Sequence, residues 1–128
     1  MKWDECAIVD DNKFDRLICE RIISRISADL AITEFRSGKE ILDYLLSDSF
    51  VTSNILILLD INMPEMNGYD FLNEMIKPEN SEIASKITVA IITSSTRKED
   101  YDQTIQYPMV KGYLQKLIMI EHLKGIIE

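Results

Sequence analysis

Ile55-Leu56-Ile57-Leu58-Leu59-Asp60 is the stretch from which the rest of the chain can be read. Five consecutive apolar residues have no polar face to turn to water. That suits a strand covered on both sides in the middle of a parallel sheet. An aspartate closes the run at the point where the strand must leave the interior. Four further short apolar runs lie at residues 6–9, 30–35, 87–92 and 112–115.

Between these runs the apolar period changes from strand-like to helical. Phe14, Leu17, Ile18, Ile22 and Ile26 recur at three- and four-residue steps and mark a first helix. Ile41, Leu42, Leu45 and Leu46 mark a second, with Ser37 and Glu40 spaced as a capping box at its start. Phe71, Leu72, Met75 and Ile76 mark a third, which should stop before Pro78. Thr96 and Glu99 have capping-box spacing at the start of a fourth, which Pro108 ends. Ile120, Leu123 and Ile127 mark a fifth. The order βαβαβαβαβα implies parallel strands joined by right-handed crossovers. The expected fold is α/β: a flavodoxin-like, doubly wound, five-stranded parallel sheet of order 2-1-3-4-5 with five helices. Ligands of such sheets bind at the carboxyl ends of the strands, near the switch point between strands one and three.

Those carboxyl ends carry the chemistry. Strand one runs into Asp10-Asp11, strand three into Asp60, strand four into Thr93-Ser94-Ser95 and strand five into Lys116. Each element alone has an ordinary explanation. Asp11 or Asn12 could cap a helix, Thr93-Ser94-Ser95 could be turn material, and Lys116 could be a solvated surface lysine. Their concurrence on four strand ends is what points to a site. Converging carboxylates repel one another and call for a cation. Mg²⁺ fits, since it prefers hard oxygen ligands and takes only one or two carboxylates from protein. A carboxylate beside such a cation can act as a nucleophile toward phosphorus, with an ammonium and a hydroxyl stabilising the transferring group.

Composition narrows the function classes. The 128-residue chain carries a formal net charge of −8, the wrong sign for a nucleic-acid footprint or an anionic membrane surface. It has no apolar stretch of membrane-spanning length and no signal-peptide pattern at its N-terminus. Cys6 and Cys19 both lie within apolar patterns and are expected as free buried thiols of a cytoplasmic protein. His122 stands on the last helix and is expected to face solvent; Trp3 is expected to cover the amino end of the sheet.

Asp60-Ile61-Asn62-Met63-Pro64-Glu65-Met66-Asn67-Gly68-Tyr69-Asp70 resembles the signature around the phosphoacceptor aspartate of response regulator receiver domains, and the resemblance extends over essentially the whole chain. It implies a single receiver domain over residues 1–128, stand-alone and similar to chemotaxis regulators. Such a domain is not a conventional enzyme. The resemblance implies that Asp60 takes a phosphoryl group from a sensor histidine kinase or phosphotransfer protein. Asp11, Asp60 and the backbone carbonyl of Asn62 would bind Mg²⁺, with Asp10 acting mostly through water. Thr93 would be the switch hydroxyl, Tyr113 the switch aromatic and Lys116 the phosphate-binding lysine. Phosphorylation would draw Thr93 toward the phosphoryl oxygens and let Tyr113 swing inward. Output would pass to a downstream protein target, with no nucleic acid and no membrane involved. Pro64 and Gly68 would shape the turn into the third helix, the glycine through its backbone freedom.

The sequence departs from the family where Leu117 follows Lys116, a place usually held by proline, and where Pro108-Met109 replaces a frequent Gly-Ala pair. A cis bond before leucine costs roughly 3 kcal/mol, and lysine has a long flexible stem. The expectation is therefore a trans Lys116–Leu117 bond with the ammonium still aimed at the acidic edge. Two other readings compete. A phosphorylation-independent docking module would normally have lost the acceptor or the acidic pair, and both are present. A small phosphatase of the haloacid-dehalogenase kind needs Asp-x-Asp at the nucleophile; Asp60-Ile61-Asn62 puts an amide where a proton-transferring acid is required.

Overall fold

The computed structural model describes residues 2–52 and 54–128. Five strands, β1 (Glu5–Val9), β2 (Ala31–Phe35), β3 (Ile55–Leu59), β4 (Ile87–Thr93) and β5 (Val110–Gln115), form one sheet in the order β2-β1-β3-β4-β5. Every neighbouring pair is parallel, as expected. The helices are α1 (Lys13–Ile26), α2 (Gly38–Leu45), α3 (Gly68–Met75), α4 (Ser81–Ala84), α5 (Lys98–Thr104) and α6 (Ile120–Ile127). There are thus six among the described residues, not five. Pro78 stops α3 but opens a 3-10 turn, Pro78–Asn80, which leads straight into the single turn α4. A proline has no amide hydrogen to lose at the first position of a helix. The one apolar anchor of α4 is the half-buried Ile83, too little to show a period in the sequence.

Two cores lie on the two faces of the sheet because successive β3 side chains point to opposite sides. Ile55, Ile57 and Leu59 pack with Val9, Ile41, Leu45, Phe71 and Leu72 beneath α2 and α3. Leu56 and Leu58 pack with Cys6, Ile8, Cys19, Ile23, Leu123 and Ile127 beneath α1 and α6. Each fully buried leucine or isoleucine contributes about 1.5–3 kcal/mol over its exposed state. β1 and β3 are buried along their whole length, which is why neither alternates in polarity. The one charge in β1, Glu5, accepts hydrogen bonds from the hydroxyls of Tyr44, Thr33 and Thr52. Trp3 is buried at the amino end of the sheet, its indole N–H donating to the Ile126 carbonyl.

Helix α1 forms where its apolar steps place it but packs in a different phase. Cys19 and Ile23 are its buried residues, Ile22 and Ile26 are half buried, and Phe14 is 74% exposed beside exposed Leu17 and Ile18. Two apolar stripes overlap on this helix, and the sheet and α6 accept the one carrying Cys19. Helix α2 begins on Ser37, whose Oγ accepts from Glu40 N at 3.2 Å. The Glu40 carboxylate accepts from Arg36 N at 2.9 Å rather than from Ser37, so this capping box is half made. At α5 the expected box is absent. The cap is Arg97 with no side-chain bond, and the adjacent Ser95 hydroxyl accepts from Arg97 N and donates to Asp100 instead.

Candidate functional site

Three hydrogen bonds carry the sheet ladder one step past its strands. Asp10 N donates to Phe35 O at 3.0 Å, Asp60 N to Val9 O at 2.9 Å and Lys116 N to Thr93 O at 2.8 Å. The side chains that follow β1, β3 and β5 therefore start from rigid backbone and leave the sheet at the same edge. For β1 and β3 the placement follows from the apolar runs, which end at Val9 and Leu59 and so put Asp10 and Asp60 at the rim.

Asp10, Asp11 and Asp60 each bring a carboxylate oxygen to within 4.8 Å of the others. Asp10 and Asp60 are buried, 4% and 6% exposed, while Asp11 faces solvent. Asp10 Oδ1 accepts from Asn12 N at 2.9 Å and Asp60 Oδ1 from Asn62 N at 3.1 Å. Lys116 Nζ lies 2.8 Å from Asp10 Oδ2, 2.8 Å from Asp15 Oδ2 and 3.3 Å from Asp60 Oδ2. The set of hard oxygen donors, closed by protein on one side and open to water at Asp11, fits a small divalent cation that keeps part of its hydration shell.

The electrostatics follow from burial and neighbours. Burial pushes the Asp60 carboxyl up to about 6, and the Asp10 charge adds to the rise; the Asn62 amide and the Lys116 ammonium act against it. Burial alone would lower the Lys116 ammonium. Its hydrogen bonds to Asp10 and Asp15, with the charge of Asp60, outweigh that and hold it above its ordinary value. The lysine is thus a fixed positive charge among carboxylates at any ordinary pH.

The Lys116–Leu117 peptide is cis, contrary to the expectation of a trans bond. The local cost of the bond and the reach of the side chain both favour trans, and neither decides the geometry here. The other half of the expectation holds: the ammonium points at the acidic edge, while Leu117 is 83% exposed.

The loop after Asp60 is shaped by close approach. A Cβ on Gly68 would stand 2.7 Å from Ile61 Cα and 2.8 Å from Asp60 O, and one on Gly38 would stand 2.6 Å from Met66 O. Gly68 is needed for this proximity and not, as expected, for unusual backbone freedom; the left-handed residue in the loop is Glu65, at φ 65°. Asn67 and Asp70 cap α3 reciprocally, Asn67 Oδ1 accepting from Asp70 N and Asp70 Oδ2 from Asn67 N.

Thr93 is fully buried, and its hydroxyl accepts from Ser95 N at 3.0 Å. Tyr113 packs against the α2/α3 core and meets Tyr101 edge-on, with ring centroids 5.2 Å apart. Among the described residues its hydroxyl is buried without a hydrogen-bond partner. The Ser95 side chain is near enough to influence it, but the Ser95 hydroxyl is spent on Asp100. The Tyr113 side chain is partly buried in this position. His122 is exposed on α6, and Cys6 and Cys19 are free and buried, as expected.

One site residue escaped the sequence reading. Asp15 joins the cluster from the first turn of α1, its amide donating to the Asn12 cap at 3.0 Å and its carboxylate accepting from Lys116. The available signal was an acidic residue in the first turn of the helix that follows Asp10-Asp11.

A family model described as response regulator receiver domain matches residues 6–128. The chain is 28% identical over 123 residues to the probable methanogenesis regulatory protein FilR2 of Methanothrix harundinacea, covering 94% of this chain and 77% of that one. It is 36% identical over 86 residues to the two-component response regulator ORR7 of Oryza sativa, covering 67% of this chain and 37% of the relative. Among solved structures, a two-component response regulator from Legionella pneumophila superposes with a TM-score of 0.79 at 27% identity, covering 96% of this chain and 94% of that one. One from Cytophaga hutchinsonii superposes at 0.82 with 22% identity, covering 99% and 96%, and shares the fold. Among the described residues no helix is long and apolar enough to cross a membrane.

Proposed function

The chain belongs to the response regulator receiver domain family of two-component signalling, and on that premise we propose that Asp60 accepts a phosphoryl group from a histidine kinase or phosphotransfer protein. The observation that carries this reading is the convergence of Asp10, Asp11, Asp60 and Lys116 on one edge of the sheet. Asp10, Asp11, Asp60 and the backbone carbonyl of Asn62 are the groups that would hold Mg²⁺. The ion, when bound, neutralises charge on the carboxylates and on the phosphoryl oxygens. In the transfer, an Asp60 oxygen attacks phosphorus as the P–N bond of the donor phosphohistidine breaks. The electron pair leaves on the imidazole nitrogen, which then takes a proton. Lys116 stabilises the charge on the phosphoryl oxygens, and Thr93 donates its hydroxyl to one of them. Release of Thr93 from Ser95 N would then alter the face of α5, β5 and α6, through which a protein target would be engaged. Residues 1–128 are read as one receiver unit.

The test is phosphorylation of the whole chain by acetyl phosphate with and without Mg²⁺, followed by intact-mass measurement. Borohydride reduction converts an aspartyl phosphate to homoserine and so locates it. The expected result is one Mg²⁺-dependent phosphoryl group at position 60, absent from Asp60→Asn. Full phosphorylation of Asp60→Asn would overturn the assignment.

A further inference from the structure

The Lys116 ammonium has three N–H donors, and each faces a different carboxylate. The two short contacts, 2.8 Å each, go to Asp10 and Asp15; the long one, 3.3 Å, goes to Asp60. Asp15 is not one of the three carboxylates that lie within 4.8 Å of one another. It grips the lysine from the side of α1, in a helical turn fixed by the Asn12 cap. Lys116 and Asp15 are 16% and 30% exposed at their side chains, so their attraction is less screened than that of a surface pair.

We propose that Asp15 is a positioning residue that competes with the phosphoryl group for Lys116 and so restrains phosphorylation of the receiver. The inference rests on the reading of Asp60 as acceptor. When an Asp60 oxygen bonds to phosphorus and the donor's leaving group departs with its electron pair, new anionic oxygens appear beside Lys116. The lysine then turns more of its donors to them. Asp10, buried and anchored to Asn12 N and Arg16, keeps its hold through rigid surroundings. Asp15, on the open side, is the partner that yields. In the unphosphorylated chain its carboxylate holds the ammonium back from Asp60, and every contact it makes with Lys116 must be weakened for transfer to proceed.

The experiment uses the full chain, acetyl phosphate and saturating Mg²⁺, with phosphorylation followed by intact mass. Acetyl phosphate donates by breakage of its P–O bond to the acyl oxygen, and acetate leaves with the electron pair. Asp15→Asn keeps shape and removes charge; it should be phosphorylated about threefold faster or more, the range one partly exposed charge pair commands. Asp15→Ser, which leaves the backbone amide bonded to the Asn12 cap, should behave alike, and Asp15→Glu should return toward the native rate. In a Lys116→Ala background, Asp15→Asn should change the rate by less than about twofold. Neutral variants no faster than native, with phosphate still at Asp60, overturn the role of Asp15 alone. So does a gain that persists undiminished without Lys116, since it would then be a general field effect. A native chain that takes no phosphoryl group at Asp60 overturns the acceptor reading and this inference together.

Discussion

The Tyr69 hydroxyl donates to Asp100 Oδ1 at 2.5 Å and thereby ties the first turn of α3 to the first turn of α5. Asp100 Oδ2 also accepts from Ser95 Oγ at 2.5 Å, and Ser95 N donates to Thr93 Oγ1. The two hydroxyl donors, Ser95 first and then Tyr69, hold the Asp100 carboxyl below its ordinary value. α5 buries little else, Thr104 being its one buried residue, so this polar junction is a main fixture of the helix. Tyr69→Phe should lower stability by about 1 kcal/mol, the scale of a single partly exposed hydrogen bond to a charged acceptor. Amide exchange in α5 should quicken while that in β3 stays unchanged. Urea unfolding and hydrogen exchange measure the two effects, and equal acceleration in both elements would contradict the junction.

Gly68→Ala should destabilise the fold by about 1–3 kcal/mol, because the new methyl group would press on backbone atoms of Asp60 and Ile61, not on a movable side chain. The displaced backbone carries the acceptor, so phosphorylation by acetyl phosphate should slow as well. Gly125→Ala is the control: a Cβ there meets nothing within 4 Å, and Ala favours the helix. Comparable melting temperatures for the two variants would show that the steric argument fails.

Asp11→Ala should weaken Mg²⁺ binding at least tenfold while changing stability by no more than about 0.5 kcal/mol, the usual limit for a surface substitution. Asp10→Ala should behave differently, because it strips half-buried Lys116 of a 2.8 Å partner. Its cost should reach about 1–3 kcal/mol. Calorimetric titration with Mg²⁺ and urea unfolding separate the two carboxylates, and identical behaviour would refute the division of labour.

At alkaline pH the protein should lose stability in a defined window. Burial pushes Cys6 and Cys19 from 9.0 up to about 12. Burial, aided by the bond to Glu5, pushes Tyr44 from 10.0 up to about 12. These groups have raised values in the folded chain, so the folded state holds their protons more tightly. Their contribution is complete below the unfolded values and is lost as pH rises toward the folded ones. Unfolding free energy should fall between pH 9 and 12, less steeply in Cys6→Ala. At pH 8 neither thiol should react with iodoacetamide until the chain is unfolded; rapid native-state alkylation would show that burial had been overstated.

The sheet, its order and the four strand ends that make the site were legible in the polarity of the chain. This was possible because the central strands close on apolar residues whose next, polar neighbour marks the rim, as at Val9-Asp10 and Leu59-Asp60. Polarity along the chain is local information, and it survives without coordinates. What the sequence left open depends on contacts between distant segments. The apolar steps of α1 were visible, but which stripe packs was settled by α6 and the sheet, leaving Phe14 in water. The turn α4 follows Pro78 with no periodic signal of its own. The cis bond at Lys116 ran against its local preference. Asp15 joined the site only because Lys116, 101 residues away, folds back beside it. An ammonium with three donors takes whichever carboxylates the fold brings within reach, and that proximity is a property of the packed chain, not of any one segment.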